Sequence, residues 1–430
     1  MQRYFQPPKD QWQRLLARPT ANYRELEPLV SEIFNAVQIS GDKAVKEFTQ
    51  KYDGVQIGEI TVSSKEIANS KTQIPSTLQD AIQNAKNNIE KFHKAQITEK
   101  VEIETQTGVL CWQEKRPIEK VGLYIPGGSA PLFSTLLMLA LPAKIAGCKE
   151  IILCTPPDKK GQVHPAILYT AALCGVEKIF KIGGIQAIAA MTLGTETIPA
   201  VYKIFGPGNQ YVTIAKQWAT RYQIAIDLPA GPSELLVVAD ASADPDFIAA
   251  DLLSQAEHGP DSQVVFVTTE SELLDKVQSA ILDQIQHLSR RSIAEKALEN
   301  SKMICFPDDA MAIDFINAYG PEHYIICLKN EELYIANVQN AGSVFIGNYT
   351  PESAGDYASG TNHTLPTNGY AKQFSGVNLD SFTKSISFQK ISKEGIQQLG
   401  KTITEMAAAE GLDAHKNAVT IRLNKIENGN

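Results

Sequence analysis

The feature that most constrains the fold is an alternation of short apolar runs with helical segments through the middle of the chain. Strands that alternate with helices form a parallel sheet with helices on both faces. The sequence therefore predicts an α/β protein with layered αβα domains. The runs that predict strands are 121–125, 150–154, 178–181, 201–205, 235–238, 264–267, 324–327 and 343–346.

Composition and charge exclude two classes of partner. The chain has 430 residues, which favours about two to four domains. A net charge of -8 argues against a general nucleic-acid binder, because phosphate contacts need clustered lysine and arginine. The most apolar stretch, 132–145, contains Pro142 and Lys144 and is shorter than the roughly 20 residues of a bilayer span. We expect neither a nucleic-acid partner nor a membrane span.

The N-terminus and the cysteines indicate the compartment. Residues 1–8 lack the apolar run of a signal peptide. The six cysteines have neither C-x-x-C nor any paired spacing. We therefore expect a cytoplasmic protein with reduced thiols.

Three glycine-rich turns, at 127–128, 183–184 and 206–209, each follow a predicted strand. Glycine lets a backbone approach a ligand closely, and the N-terminus of the next helix attracts phosphate. None of the turns has the G-x-G-x-x-G pattern, and a tight turn between strand and helix explains each one alone. Three of them in one α/β region nevertheless favour a nucleotide site.

Gln255 and His258 are three residues apart near the end of a predicted helix, which begins after the N-cap Asp244 and stops at Gly259. They share a helix face, and a helix C-terminus favours a cation. A solvated polar helix end has the same pattern. A cysteine-based zinc finger is excluded, but a catalytic metal site with histidine, carboxylate and amide ligands is left open.

Glu322 and His323 follow a Gly-Pro pair at 320–321. The pattern predicts a loop that places two proton-transfer groups side by side. Histidine titrates near neutrality and suits a general base. The alternative is a solvated pair of loop residues.

Further metal-ligating types occur late in the chain. Asp356 and His363 fall in a polar, glycine-rich segment, 355–363, which predicts a binding loop. Glu410 and His415 offer another acid and histidine near the C-terminus. Spacing alone does not bring these segments together.

Taken together, these segments resemble the histidinol dehydrogenase family along nearly the whole chain. The order and rarity of the matching motifs make the resemblance specific. They are Gly-Leu-Tyr-Ile-Pro-Gly-Gly at 122–128, Gly-Pro-Gly-Asn at 206–209, Ala-Gly-Pro-Ser-Glu at 230–234, Gln-Ala-Glu-His-Gly at 255–259, Gly-Pro-Glu-His at 320–323, Gly-Asp-Tyr at 355–357, Glu-Gly-Leu at 410–412 and His415.

The resemblance implies the cofactors and the residues that bind them. One Zn²⁺ per subunit would orient the substrate, and its protein ligands would be Gln255, His258, Asp356 and His415. The substrate contacts would be those four ligands together with Ser233, His323, His363 and Glu410. The NAD contacts would be Tyr124, Gln186 and Asn209.

The resemblance also implies the architecture: two incomplete Rossmann-like αβα domains with small N-terminal and C-terminal helical pieces. The active sites would be shared across a homodimer. The expected divisions are an N-terminal extension (1–22), a first αβ domain in two parts (23–120 and 236–377), an NAD-binding domain (121–235) and a tail that reaches the partner subunit (378–430).

The implied reaction oxidises L-histidinol to L-histidine through L-histidinal and reduces two NAD. His323 would take the alcohol proton, and Glu322 would activate the water that adds to the aldehyde. Two other functions stay open at this point. One is a metal-dependent hydrolase with Glu322 as its base, and the other is a nucleotide-binding regulatory protein without catalysis.

Overall fold

The computed structural model describes residues 1–19, 25–127, 131–229 and 231–429. Two compact units are present. The first comprises Met1–Gln96 and Ile118–Phe382, and the second comprises Ile97–Pro117 and Thr383–Asn430.

The described residues form fourteen strands and sixteen α-helices. The strands are β1 (Gln2–Phe5), β2 (Val101–Gln106), β3 (Val109–Pro117), β4 (Lys120–Tyr124), β5 (Glu150–Cys154), β6 (Lys178–Phe180), β7 (Lys203–Phe205), β8 (Ala225–Ile226), β9 (Glu234–Ala239), β10 (Gln263–Thr268), β11 (Lys302–Cys305), β12 (His323–Cys327), β13 (Ser343–Ile346) and β14 (Thr383–Ile391). The helices are α1 (Trp12–Leu15), α2 (Glu27–Phe48), α3 (Ser64–Ser70), α4 (Ser76–Lys94), α5 (Phe133–Ala146), α6 (Pro165–Leu173), α7 (Gly184–Leu193), α8 (Gln210–Ala219), α9 (Pro245–Ala256), α10 (Ser271–Gln284), α11 (Arg291–Glu299), α12 (Asp309–Tyr319), α13 (Glu331–Ala336), α14 (Glu352–Tyr357), α15 (Lys393–Ala409) and α16 (Asp413–Glu427).

The first unit contains a five-stranded parallel sheet in the order β6-β5-β4-β7-β8. The chain starts at the central strand β4, proceeds outwards through β5 and β6, and returns to the other side of β4 with β7. This reversal creates a crevice at the carboxyl ends of β4 and β7, where α/β proteins bind ligands. The predicted α/β fold with Rossmann-like parallel sheets is confirmed.

A second parallel sheet of the same unit has six strands, in the order β1-β11-β10-β9-β12-β13. Its central strands β9, β10 and β12 are buried along their whole lengths. Strands covered on both faces are nearly continuous apolar runs, which is why the sequence identified them.

The N-terminal segment contributes a strand that sequence reasoning did not anticipate. Residues 2–5 form β1 and pair in parallel with β11, with Gln2 opposite Lys302. The sequence treated 1–22 as a polar extension, because four mixed residues give no periodic signal. The expected boundary at 22/23 falls in 20–24, outside the described residues.

Helices α2 and α4 pack on the five-stranded sheet. Ile33 and Phe34 of α2 share a hydrophobic cluster with Ile152 of β5. Ile89 of α4 lies in the cluster on the opposite face, with Leu153. The predicted grouping of 23–120 with 236–377 does not match this packing. Helical periodicity identifies an apolar face without indicating which sheet that face covers.

The second unit is an antiparallel three-stranded sheet, β14-β3-β2, with the helices α15 and α16. Strands β2 and β3 form a hairpin that turns at Gly108, whose φ is +76°. The two helices agree with the C-terminal helical piece that the resemblance implies, and Gly411 follows the end of α15 at a φ of +71°.

The described ranges contain no helix with the combined length and apolarity that crossing a bilayer requires. All six cysteines lie within these ranges as free thiols.

Replacing Phe382 by alanine should destabilise the first unit. Its ring is fully buried and stacks on Phe205, with the ring centroids 4.0 Å apart. Removing a buried aromatic side chain costs about 3–5 kcal/mol. Urea unfolding should show this loss, whereas Phe5→Ala, at a side chain that is 60% exposed, should leave the midpoint nearly unchanged. Equal midpoints for the two variants would contradict the assignment of Phe382 to the core.

Candidate active site

A cavity of about 1500 Å³ lies between opposite edges of the two parallel sheets. Tyr124 at the end of β4 and Asn209 after β7 line it from one side. Ser233 before β9 and His323 at the start of β12 line it from the other. The cavity exceeds the roughly 300–1,000 Å³ of a typical ligand pocket, so it offers space for two ligands. The six-stranded sheet faces the cavity with the amino ends of its strands, whereas open α/β sheets usually bind ligands at the carboxyl ends.

The three residues expected to bind NAD lie close to the first helical turns of α7 and α8. The Tyr124 hydroxyl accepts a hydrogen bond from the Gly184 N–H at 3.1 Å. Gln186 donates to Asp53 at 3.3 Å. The Asn209 side chain caps α8 by accepting from the backbone N–H groups of its first turn. The N-termini of two helices therefore face the crevice, an arrangement suited to phosphate.

The glycines of these turns have a packing role. A side chain at Gly206, whose φ is +137°, would overlap the carbonyl of Tyr124. A Cβ at Gly127 or Gly183 would press against the ring of Pro156. Of the two explanations that the sequence leaves open, a tight turn and close approach by a ligand, these contacts between neighbouring turns support the tight turn. Gly128 lies outside the described residues.

Glu322 and His323 are buried where β12 begins, with 6% and 4% of their surfaces exposed. The sequence predicts a loop here, but His323 is the first residue of β12. The alternative of a solvated loop pair is wrong, because both side chains are buried. The Glu234 N–H donates to Glu322 Oε2 at 2.8 Å, and His323 Nδ1 lies 3.2 Å from the Glu234 carbonyl oxygen. The backbone of Glu234 thus contacts both side chains.

The other ring nitrogen of His323 faces the carboxylate of Asp356. His323 Nε2 and Asp356 Oδ1 are 3.4 Å apart, and neither atom has a hydrogen-bond partner among the described residues. Burial alone would lower the pKa of His323, but the nearby carboxylates, Glu352 and Glu322 foremost, raise it well above its ordinary value. Burial alone would raise the pKa of Asp356, but the effect of His323 is larger, and the pKa lies below its ordinary value.

Two expected metal ligands differ from their predicted local structure. Helix α9 is capped by Asp244 as predicted, but it ends at Ala256, so only Gln255 belongs to its last turn. His258 lies in the following turn and is exposed. Asp356 belongs to the short helix α14, whereas the sequence predicted a loop.

Three groups are arranged so that they could hold a cation. The donor atoms of His258, Glu352 and Asp356 all lie within 4.8 Å of one another. The Gln255 amide is buried between the Glu352 carboxylate and the Glu234 N–H. Imidazole, carboxylate and amide donors suit a borderline metal such as Zn²⁺. The residues present therefore fit the implied metal.

Glu352 was not identified from the sequence. Its side chain is almost fully buried, and burial raises its pKa well above the ordinary value, although His323 opposes this. The only sequence signal was its spacing, four residues before Asp356, which puts both carboxylates on one helix face. A single glutamate in a polar segment has no motif to mark it.

The remaining expected substrate contacts are in different surroundings. His363 uses both ring nitrogens within the chain, at 2.7 Å from the Asp356 carbonyl oxygen and 3.0 Å from the Thr135 hydroxyl. Burial lowers its pKa. Ser233 is half-buried and lines the cavity, while Ala230 of the same motif lies outside the described residues.

Glu410 and His415 belong to the second unit. Glu410 is the C-cap residue of α15, and His415 lies in the first turn of α16. Both are exposed.

Comparison with known proteins identifies the family. A family model described as histidinol dehydrogenase matches residues 16–423. The histidinol dehydrogenase of Bacteroides thetaiotaomicron is 58% identical over 421 residues and covers 98% of each chain. That of Vibrio parahaemolyticus is 50% identical over 421 residues and covers 97% of each. A crystal structure of histidinol dehydrogenase from Elizabethkingia anophelis matches with a TM-score of 0.97 and 54% identity over 99% of each chain. The chain belongs to the histidinol dehydrogenase family.

Proposed function

We propose that this chain, a histidinol dehydrogenase by family, oxidises L-histidinol to L-histidine through L-histidinal with reduction of two NAD, the last step of histidine biosynthesis. The observation that carries the proposal is the continuity of the cavity. One space is lined by Tyr124, Gln186 and Asn209 on one side and by the buried pair Glu322 and His323 on the other. A cofactor and a substrate bound in one cavity can exchange a hydride.

The substrate would be oriented by one Zn²⁺ per subunit, held by Gln255, His258 and Asp356 together with the partner subunit's His415. The support is the cluster of His258 and Asp356 donors within 4.8 Å. The C-terminal end of α9 adds partial negative charge beside Gln255. When bound, the metal would serve as a template that fixes the substrate.

His323 would be the general base of both oxidation steps. Its Nδ1 is directed at the Glu234 carbonyl, so the proton from the substrate would be taken at Nε2. NAD, bound at the carboxyl ends of β4 and β7, would accept the hydride. His323 is buried, and a water-poor site strengthens the attraction between its imidazolium and the carboxylate of Asp356.

Glu322 would act in the second half of the reaction. After the first hydride leaves, water adds to the aldehyde, and Glu322 would take a proton from that water. Its carboxylate is oriented by the Glu234 N–H, which is held in the sheet. Two proton removals at one place call for an adjacent acid and base.

Other contacts complete the proposal. Ser233 and His363 line the cavity and would bind the substrate together with the metal ligands and His323. Glu410 would contact it from the partner subunit of a homodimer. The six free cysteines suit a reducing compartment, and we place the chain in the cytoplasm.

Absorbance of NADH during incubation with histidinol tests the function directly. NADH should accumulate, and a chelator should stop it. A metal-dependent hydrolase would form no NADH, and a regulatory protein would bind NAD without turnover. The adjoining crevice and buried acid-base pair favour the dehydrogenase over both.

Removing the metal should abolish histidinol binding and leave NAD binding largely intact, because the proposed metal and NAD contacts lie on different sheets. Isothermal titration calorimetry before and after chelation measures both affinities. His258→Ala should lower the zinc content, and the exposed His287 provides the matched control as His287→Ala. Loss of NAD affinity in step with zinc would contradict this separation of the two sites.

Glu322→Gln should impair aldehyde oxidation at least about tenfold more than alcohol oxidation, because only the second half needs activated water. His323→Asn should slow both halves by about 10²–10⁴-fold. Single-turnover NADH yields from histidinol and from histidinal measure the halves separately. Equal losses in both halves for Glu322→Gln would refute its assigned role.

Mixed dimers test whether the site is shared. His323→Asn and His415→Ala should each be nearly inactive as homodimers. Co-expression should restore about a quarter of wild-type activity, because about half of the dimers are mixed and each has one intact site of two. Co-expressing His323→Asn with Glu322→Gln is the control and should restore nothing. Activity no greater than the parental average in the first mixture would exclude a shared site.

A further inference from the structure

Arg18 and Glu234 form a buried ion pair beside the catalytic pair. The Arg18 guanidinium donates from Nε and Nη2 to the two carboxylate oxygens of Glu234, each at 3.1 Å. It also donates to the Tyr319 carbonyl at 2.7 Å and stacks on the Tyr319 ring, 3.7 Å from the centroid. Only 8% of the Arg18 side chain and 1% of the Glu234 side chain are exposed.

The backbone of Glu234 contacts both proposed catalytic side chains. Its N–H donates to Glu322 Oε2, and its carbonyl oxygen lies at His323 Nδ1. Its carboxylate also accepts a hydrogen bond from the Asn368 N–H at 2.7 Å. The residue that holds Glu322 and His323 is therefore itself fixed through its side chain, and Arg18 supplies the only bidentate contact described for it.

We propose that Arg18 is a positioning residue for catalysis, acting through Glu234 to hold Glu322 and His323 in their reactive geometry. The proposal rests on the proposed function, because it needs His323 as the base. Arg18 itself is not among the residues that line the cavity, and it follows α1 in the chain.

The physical reason is the cost of leaving Glu234 without its partner. A buried carboxylate that loses its cation must reorient towards water or take up a proton. Either change frees the side chain of Glu234, the first residue of β9, from the contacts that fix it. A misplacement of catalytic groups by about 1 Å can cost 10²-fold in rate. Arginine suits this role because its planar fork fixes a carboxylate at two points.

Arg18→Met removes the charge and keeps much of the length. We expect kcat for both half-reactions to fall at least about tenfold. The Kd for NAD should stay within about twofold, because Arg18 and Glu234 contact none of the residues proposed to bind NAD. The matched control is Arg3→Met, which removes an exposed ion pair with Asp275 from the same N-terminal segment and should leave kcat unchanged.

Combining Arg18→Met with His323→Asn separates positioning from a general loss of stability. If Arg18 acts through the catalytic pair, it should cause little further loss of residual activity once His323 is absent. Multiplying losses would overturn the proposal and assign Arg18 a structural role only.

Two further results separate the positioning role of Arg18 from the proposed function of the chain. Normal kcat in Arg18→Met, with His323→Asn inactive, would overturn the positioning role alone. Wild-type activity in His323→Asn would overturn both this role and the proposed function. If Arg18→Met does not fold, Arg18→Lys carries the test. It keeps the charge without the two-point contact, so kcat should fall about threefold to tenfold while the Kd for NAD stays unchanged. Unchanged kcat in Arg18→Lys would then overturn the proposal.

Discussion

The burial of several carboxylates around one imidazole is the interaction on which the rest of the site depends. Glu322, Glu352 and Asp356 surround His323 in a region with little solvent, and the three carboxylates outnumber the one imidazole. Buried charges are tolerated only when they are paired. Arg18 pairs with the neighbouring Glu234, and His323 with Asp356. A divalent cation among the remaining acidic groups would complete the balance, which gives the ligand set a purpose beyond its geometry.

The two sheets supply opposite chemistry to one cavity because they present opposite ends to it. The five-stranded sheet contributes carboxyl ends of strands and N-terminal ends of α7 and α8, where backbone N–H groups favour phosphate. The six-stranded sheet contributes amino ends of β9 and β12 and the C-terminal end of α9, where carbonyls favour a cation. The proposed phosphate and metal sites thereby lie on opposite sides of the cavity, with room for a substrate between them.

The strands and turns that frame the cavity could be predicted from the sequence, because buried parallel strands are apolar runs and glycine-rich turns follow β4, β6 and β7. The acid-base pair Glu322 and His323 was likewise visible as a motif. Glu352 and Arg18 were not, since each is one charged residue whose role comes from a partner far away in the chain: Arg18 and Glu234 are 216 residues apart. The sequence also did not predict which sheet α2 covers, because an apolar helix face does not indicate the element against which it packs.

The proposed mechanism requires a four-electron oxidation in one site, and the stoichiometry of cofactor reduction tests this most directly. With histidinol limiting and NAD in excess, the absorbance of NADH at completion counts the hydrides transferred per substrate. The mechanism proposed for His323 and Glu322 predicts two NADH and one L-histidine for each histidinol consumed. One NADH with accumulating aldehyde would contradict the role of Glu322 in the second step, and no NADH would contradict the dehydrogenase function itself.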